Sequence, residues 1–156
     1  MFLGINSSEQ AKNITLFQKL QATHFTLMTI AWGCHWNIVG EGFYANHEFL
    51  KELYEKEQDR VDACAERVRA LTGKCPYTIQ SMSELSFIPE MDNDMTFKTN
   101  SVFEVMASSW AAVITKVRDV RSQINDEVDY ASASFLDGML EEMEKEAWML
   151  TSFVEG

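Results

Sequence analysis

Two histidines and two acidic residues in the first half of the chain have the types and spacing of a metal site. His35 and His47 flank a turn-forming segment, and Asp62 and Glu66 follow at i, i+4 spacing. Imidazole and carboxylate groups together suit Fe(II), although zinc also binds such sites. If one helix begins near His47, Asp62 lies about 22 Å farther along it. One chain therefore cannot easily close a site from both ends, whereas two chains related by a two-fold axis can.

Helices must position these residues, because the chain has the periodicity of an all-α protein. Both prolines, Pro76 and Pro89, lie in the middle, and the long stretches on either side lack the strongest helix breaker. Apolar spacing predicts four long helices, with a crossover over residues 74–98 that carries a short extra helix near 83–87. The long helices are predicted over residues 7–36, 43–71, 101–124 and 131–153. Capping boxes are predicted at Ser7 with Gln10 and at Ser101 with Glu104.

This pattern is typical of a ferritin-like four-helix bundle, formed by a single domain of residues 1–156. Such bundles usually bind metal inside each bundle through Glu-x-x-His pairs. Here the residues three before the histidines are Gln21, Trp32 and Tyr44. The sequence therefore disfavours an intra-bundle di-iron site and favours a site between subunits. His24 is predicted to be a packed or interface histidine.

Composition limits the classes of binding partner and the cellular compartment that we expect. The net charge is −11, from 24 acidic and 13 basic residues, and no Lys/Arg-rich arm occurs. We therefore expect cation attraction and no nucleic-acid binding. Three cysteines without CxxC spacing indicate reduced thiols and a cytoplasmic location. No segment is apolar enough to span a bilayer, so no membrane partner is expected. The N-terminus lacks a charged region followed by an apolar one, so no secretory signal is expected.

The chain resembles the Dps family of mini-ferritins over nearly its whole length. The matching residues are His35-Trp36-Asn37, Gly40, Phe43, His47-Glu48, Asp62-x-x-Ala65-Glu66-Arg67 and, in the last helix, Glu144-Lys145-Glu146-Ala147-Trp148-Met149-Leu150. The resemblance implies a homo-oligomer, a hollow shell of twelve subunits with a ferroxidase centre at each two-fold interface. It also implies iron as the metal, oxidation of Fe(II), typically by hydrogen peroxide, and storage of the ferric product inside.

In the family pattern, His35 and His47 come from one subunit, and Asp62 and Glu66 come from its two-fold mate. Glu66 is then the bridging ligand. Trp36, beside the first histidine, is most simply an interface aromatic, and could also take an oxidising equivalent from the iron centre.

One position departs from the family pattern. The family usually has an aspartate four residues after the second histidine, and this chain has Lys51 there. An ammonium group one turn from His47 cannot bind iron and opposes a second cation. We expect a strong first iron site and a weak or absent second one, unless Lys51 pairs with a neighbouring glutamate (Glu48, Glu52 or Glu55) and turns away. A catalytically weakened shell with a structural or metal-buffering role is therefore the alternative function.

An acidic loop precedes the last helix and holds Asp126, Glu127 and Asp129. The resemblance implies that this region lines a three-fold iron entry pore, with Asp129 as the best single candidate. An ordinary acidic loop that stabilises the helix N-terminus is the alternative. Arg67 is expected to form a salt bridge that positions a carboxylate.

Overall fold

The computed structural model describes residues 3–155 and forms five helices. Their bounds are α1 Ser7–Asn37, α2 Phe43–Ala70, α3 Ile79–Leu85, α4 Thr99–Gln123 and α5 Tyr130–Val154. The four long helices form the bundle, and α3 lies in the crossover between α2 and α4. Across residues 3–155 the β pairing is limited to one isolated parallel bridge, between Val39 and Lys98. The predicted all-α bundle with a short crossover helix is confirmed. No helix in the described part of the chain is both long and apolar enough to cross a bilayer.

The bundle is held together by an apolar core to which all four long helices contribute. Helix α1 packs mainly against α2, and α4 packs mainly against α5. Phe17, Leu50, Trp110 and Leu136, one from each long helix, are fully buried. Burial of each large apolar side chain stabilises the fold by about 1.5–3 kcal/mol. The bundle thus gives the site residues of α1 and α2 a rigid support.

Helix ends differ from the sequence expectations in their caps. The predicted capping box at the start of α1 is wrong, because Asn6 is the N-cap and its side chain accepts the N–H of Glu9 at 2.9 Å. Gln10 instead donates to the carbonyl oxygen of Leu71 at 2.7 Å. Asparagine is among the best N-cap residues, which explains why it is preferred one residue before Ser7.

Two further boundaries also differ. Helix α3 begins four residues earlier than predicted, because the Thr78 side chain caps it by accepting the N–H of Ser81 at 3.1 Å. Helix α4 begins at Thr99 after Lys98, which makes no side-chain cap hydrogen bond, so the capping box predicted there is also wrong.

The turn between α1 and α2 sets the geometry of the candidate site. Gly40 and Gly42 have φ values of 119° and 71°, which favour glycine. The N–H of Val39 donates to the carbonyl oxygen of Phe97 at 2.9 Å, which ties the turn to the start of α4. A Cβ on Gly40 would lie 3.0 Å from Thr99 Oγ1. The glycines thus let the chain reverse tightly, so that the end of α1 lies against the start of α2.

Candidate metal centre

His35 and His47 form a reciprocal pair at this turn. His35 Nδ1 donates to the carbonyl oxygen of His47 at 2.7 Å, and His47 Nδ1 donates to the carbonyl oxygen of His35 at 2.8 Å. A carbonyl oxygen can only accept, so each Nδ1 carries the hydrogen. In the neutral rings both Nε2 atoms are then unprotonated and able to bind a metal. The backbone thus fixes the tautomer that a metal ligand needs.

The two imidazole rings are stacked, with centroids 3.7 Å apart and planes 16° from parallel. A metal ion binds a histidine nitrogen close to the plane of its ring. An ion bound by one ring therefore lies well outside the plane of the other, so the pair offers two separate positions rather than one chelate.

Aromatic side chains surround the histidine pair. Phe43 stacks on His47 with centroids 5.2 Å apart, and Tyr54 packs edge-on against His35 at the same distance. Tyr54 also contacts Trp32, which stacks on Trp36 at 5.7 Å. Trp36 is 66% exposed. The pair is thus held rigidly on one side and borders an exposed aromatic surface.

Lys51 follows His47 by one turn of α2. Its ammonium group lies 3.9 Å from Glu55 Oε1, and its side chain is 45% exposed. An exposed pair at this distance contributes little to stability, about 0–1 kcal/mol. Of the glutamates weighed from the sequence, Glu55 is the one it approaches. Lys51 is thus held only weakly and is free to turn toward a neighbouring site or away from it.

Asp62 and Glu66 lie near the other end of α2, which is one uninterrupted helix. Both are exposed, and neither carboxylate has a hydrogen-bond or salt-bridge partner within residues 3–155. The separation of about 22 Å between His47 and Asp62 is therefore fixed by the helix. In the described part of a single chain, no three histidine, cysteine, aspartate or glutamate side chains converge on a metal position. The histidine pair and the acidic pair are thus two separate groups of candidate ligands, which we call half-sites.

Comparisons with known proteins agree with this architecture. Residues 14–156 match the ferritin-like domain family. An uncharacterized low temperature-induced protein of Nostoc sp. is 32% identical over 155 residues, which cover 99% of this chain and 86% of the relative. DNA protection during starvation protein 2 of Bacillus anthracis is 28% identical over 141 residues, covering 90% of this chain and 95% of that protein. The crystal structure of a Dps protein from Bacillus brevis matches with a TM-score of 0.88 at 25% identity, covering 96% of this chain and 99% of that one.

The chain belongs to the ferritin-like family and to its Dps branch. The predicted recognition and the ferritin-like fold are both confirmed. The fold accounts for the position of the half-sites, because the α1–α2 turn and the far end of α2 lie at opposite ends of the same bundle.

The acidic loop of this Dps protein is not uniform. Asp126 and Glu127 are exposed, and Asp126 pairs with Arg121 at 3.2 Å. Asp129 is only 2% exposed and is the N-cap of α5, because its side chain accepts the N–H of Ser132 at 3.1 Å. The Asp129 carboxylate is therefore engaged within the subunit and is not available to an ion in this conformation. The N-terminal stabilising role describes Asp129, and the exposed acids are the two before it.

Ser132, Asn13 and Arg67 together hold Asp129 inside the subunit. The guanidinium of Arg67 donates to Asp129 Oδ1 at 2.8 Å and to Ser132 Oγ at 2.9 Å. Asn13 donates to the second oxygen of Asp129 at 2.8 Å. Burial opposes ionisation of Asp129, but the hydrogen bonds of Ser132 and Asn13 and the charge of Arg67 hold its pKa below the usual range. Arg67 thus positions a carboxylate, as expected, but that carboxylate belongs to Asp129.

Sequence reasoning missed a second cluster of histidine and carboxylate side chains, inside the bundle. We call it the bundle cluster; it consists of His24, Glu57, Arg60, Trp110 and Glu146, all buried. A signal was present, since Glu57 and Arg60 fall within the buried stripe of α2 at helical spacing. Charged residues are rarely buried unless they are paired, so two such residues in a core stripe predict partners elsewhere in the fold.

Proposed function

We propose that the protein is a ferroxidase and iron-storage protein whose active centres are shared between two subunits. The reciprocal His35–His47 pair carries the proposal, because it leaves two neighbouring imidazole nitrogens as metal ligands. Asp62 and Glu66 of a second chain would complete the ligand set. Their carboxylates are exposed and unpaired, as ligands for a partner's iron must be. The resemblance to the Dps family adds support from a wholly different source.

Each group has a distinct role in this scheme. The imidazoles hold Fe(II) without adding charge, while Asp62 and Glu66 supply hard anionic oxygens that favour Fe(III) over Fe(II). Glu66 is suited to bridge two ions. Hydrogen peroxide takes up two electrons and two protons to form two water molecules, so two Fe(II) ions are oxidised for each peroxide. The ferric product is then stored inside the shell.

The assembly that we propose is a homo-oligomeric shell, a dodecamer as the resemblance implies. Trp36, Phe43 and Tyr44 are exposed beside the histidine pair, and exposed aromatic surface of this kind marks an interaction site. Light scattering should give a mass near twelve times 17.9 kDa. The compartment that we propose is the cytoplasm, since all three cysteines are free thiols and Cys34 and Cys64 are buried.

We also propose that iron enters past the exposed acids of the loop before α5. Glu127 has no side-chain partner in the described chain, whereas Asp126 is partly neutralised by Arg121. Glu127 is therefore the best pore candidate, and Asp129 holds the loop in place from within. Replacing Glu127 with Gln should slow iron uptake into the assembled shell without changing binding at the shared centre.

A catalytically weakened, metal-buffering shell is the second candidate function. Lys51 favours it, since its ammonium group lies one turn from His47 and is held only by a weak contact with Glu55. The first function predicts fast peroxide-driven oxidation, and the second predicts Fe(II) binding with slow turnover. Anaerobic Fe(II) loading followed by peroxide, monitored by ferric absorbance, separates the two.

The decisive experiment replaces Glu66 with Gln. This substitution keeps the shape of the side chain and removes the charged oxygen that a hard cation needs. Peroxide-driven iron oxidation should fall at least tenfold in an assembled shell. Glu52→Gln is the matched control, because Glu52 is exposed on the same helix and is outside the proposed ligand set. Unchanged rates in assembled Glu66→Gln protein would move the centre elsewhere.

A further inference from the structure

The bundle cluster has the ligand types of a metal site but holds an arginine at its centre. Arg60 Nη1 donates to Glu57 Oε1 at 2.6 Å and to Glu146 Oε2 at 2.8 Å, and Nη2 donates to Glu146 Oε1 at 2.9 Å. His24 Nδ1 lies 2.6 Å from Glu57 Oε2, and Trp110 Nε1 donates to Glu146 Oε2 at 2.9 Å. One nitrogen atom of a cation thus lies between two carboxylates from different helices.

The position of Arg60 Nη1 is close to that of a bound metal ion. Divalent cations bind carboxylate oxygens at about 2.0–2.6 Å. Of the two oxygen neighbours of Nη1, Glu57 Oε1 at 2.6 Å lies at the upper end of that range and Glu146 Oε2 at 2.8 Å lies slightly beyond it. His24 Nε2 is buried and has no hydrogen-bond partner among residues 3–155. The guanidinium joins Glu57, and through it His24, to Glu146, so side chains of three helices lie around it without converging on one metal position.

The positive charge of Arg60 is what allows Glu57 and Glu146 to be buried side by side. Two buried carboxylates without a cation would destabilise the fold strongly, since an unpaired buried charge costs several kcal/mol. Burial opposes ionisation of Glu146, but Arg60, Trp110 and Lys56 hold its pKa below the usual range. Arg60 responds in the opposite direction, because its bonds to both glutamates outweigh burial and raise its pKa. The guanidinium thus supplies the positive charge that a metal ion supplies in other ferritin-like bundles.

The cluster is not sealed from solvent. A groove of about 320 Å³ lies between α2 and α5, and Arg60 forms part of its wall. Asp59 and Glu142 also line the groove, as does Lys56, whose ammonium group lies 3.2 Å from Glu146 Oε1. A divalent ion attracted by the exposed acids would therefore meet the guanidinium before it reached Glu57 and His24.

We propose that Arg60 is a built-in counter-ion that keeps divalent metal out of a latent His24–Glu57–Glu146 site inside the bundle. Together with the proposed function, on which this last step rests, this confines iron to the centre shared between subunits. Arg60 then determines where metal binds in the chain.

The test is to remove the guanidinium and count bound metal. Arg60→Met keeps the length of the side chain and removes its charge. Equilibrium dialysis of the assembled protein against Co(II), with metal analysis and visible absorption, should show one more ion per chain than in the wild type. The double variant Arg60→Met/Glu146→Gln should lose that ion. Arg60→Lys is the matched control, because it keeps a cation at the same place and should gain none.

A Glu66→Gln background separates this inference from the proposed function. The difference of one Co(II) ion between wild type and Arg60→Met should persist in that background. If Glu66→Gln binds as much Co(II) as the wild type, the proposed shared centre is wrong. The difference in Co(II) count between Glu66→Gln and Arg60→Met/Glu66→Gln still tests the bundle cluster.

Three results would overturn the inference. One is an assembled Arg60→Met protein that binds no more Co(II) than the wild type. Another is a wild-type metal count that falls when Glu146 is replaced by Gln, since metal would then already enter the cluster. The third is failure of both Arg60→Met and Arg60→Gln to assemble, with Co(II) present or absent, because the cluster would then be purely structural. Assembly of either variant only with Co(II) would support the inference.

Discussion

The proposed shared centre and the bundle cluster contain the same residue types but differ in what those residues contact. In the proposed shared centre, carbonyl oxygens occupy only the Nδ1 atoms of His35 and His47, and the acids that we propose to complete it are exposed. In the bundle cluster, Arg60 occupies the oxygens of both buried glutamates. Histidine and carboxylate are thus not enough to make a metal site. What decides is whether their lone pairs are already used inside the fold.

Whether these side chains already have partners within the fold also determines whether they contribute mainly to metal binding or to stability. Unpaired ligands at an exposed surface contribute little to folding and are therefore free to bind an ion. Ligands satisfied by an internal cation stabilise the chain relative to a version with either partner removed. The two regions should consequently fail in different ways when their residues are replaced.

The largest expected effect is complementation between two impaired variants. His35→Ala and Glu66→Gln should each lower peroxide-driven oxidation at least tenfold, because each removes a ligand from one half of the same proposed centre. When the two variants are co-expressed and assemble at random, about a quarter of the centres combine an intact histidine pair from a Glu66→Gln chain with an intact acidic pair from a His35→Ala chain. Ferric absorbance should therefore recover to about a quarter of the wild-type rate per centre. No recovery in mixed, assembled shells would show that one chain holds both halves.

Next in size is the stability of the bundle cluster. Glu146→Ala leaves Arg60 buried with Glu57 as its one buried carboxylate partner, and the free energy of unfolding should fall by about 3–5 kcal/mol. Glu142→Ala is the matched control, since Glu142 contacts the same guanidinium at 3.4 Å but is 72% exposed. Its loss should stay below about 1 kcal/mol. Denaturant unfolding at fixed subunit concentration measures the loss of unfolding free energy in each variant. Equal losses would contradict the claim that the buried partner of Arg60 contributes more stability than the exposed one.

A smaller effect concerns the number of iron ions in the shared centre. The stacked rings offer two positions, but Lys51 lies one turn from His47 and its charge opposes a second cation. We expect one tightly bound Fe(II) per centre in the wild type and nearly two in Lys51→Asp. Lys51→Gln should fall between them, because it removes the charge without adding a ligand. Anaerobic titration calorimetry counts the ions, and two equally tight ions in the wild type would mean that Lys51 turns away.

The smallest expected effect is a loss of stability at acidic pH. The pKa of Glu146 in the folded chain lies below its ordinary value of 4.5. Its ionised form therefore contributes stability that is complete above pH 4.5 and is lost as the pH falls through the folded pKa. The difference in unfolding free energy between wild type and Glu146→Gln should therefore narrow as the pH falls from 4.5 through the folded pKa of Glu146. A stability difference that stays constant as the pH falls would exclude the linkage.

Local information in the sequence was sufficient for the helices and for the spacing of the candidate ligands along them. Apolar spacing and the positions of glycine and proline are properties of neighbouring residues, and they predicted the bounds of the long helices to within one or two residues. The placement of His47, Asp62 and Glu66 along a single helix likewise follows from a rise of about 1.5 Å per residue. The caps were less predictable, because several polar residues near each helix start compete for the same N–H groups.

Contacts between distant segments decided the rest. Arg60 and Glu146 are 86 residues apart, and Asn13 and Asp129 are 116 apart. The sequence alone does not show that Asp129 is buried, that Arg67 belongs to it, or that Arg60 occupies a ligand set. The metal-binding tautomer of His35 and His47 also depends on two carbonyl oxygens brought within reach by the turn. The sequence therefore determined which ligands exist and how far apart they lie along a helix, whereas tertiary packing determined which of them remain free.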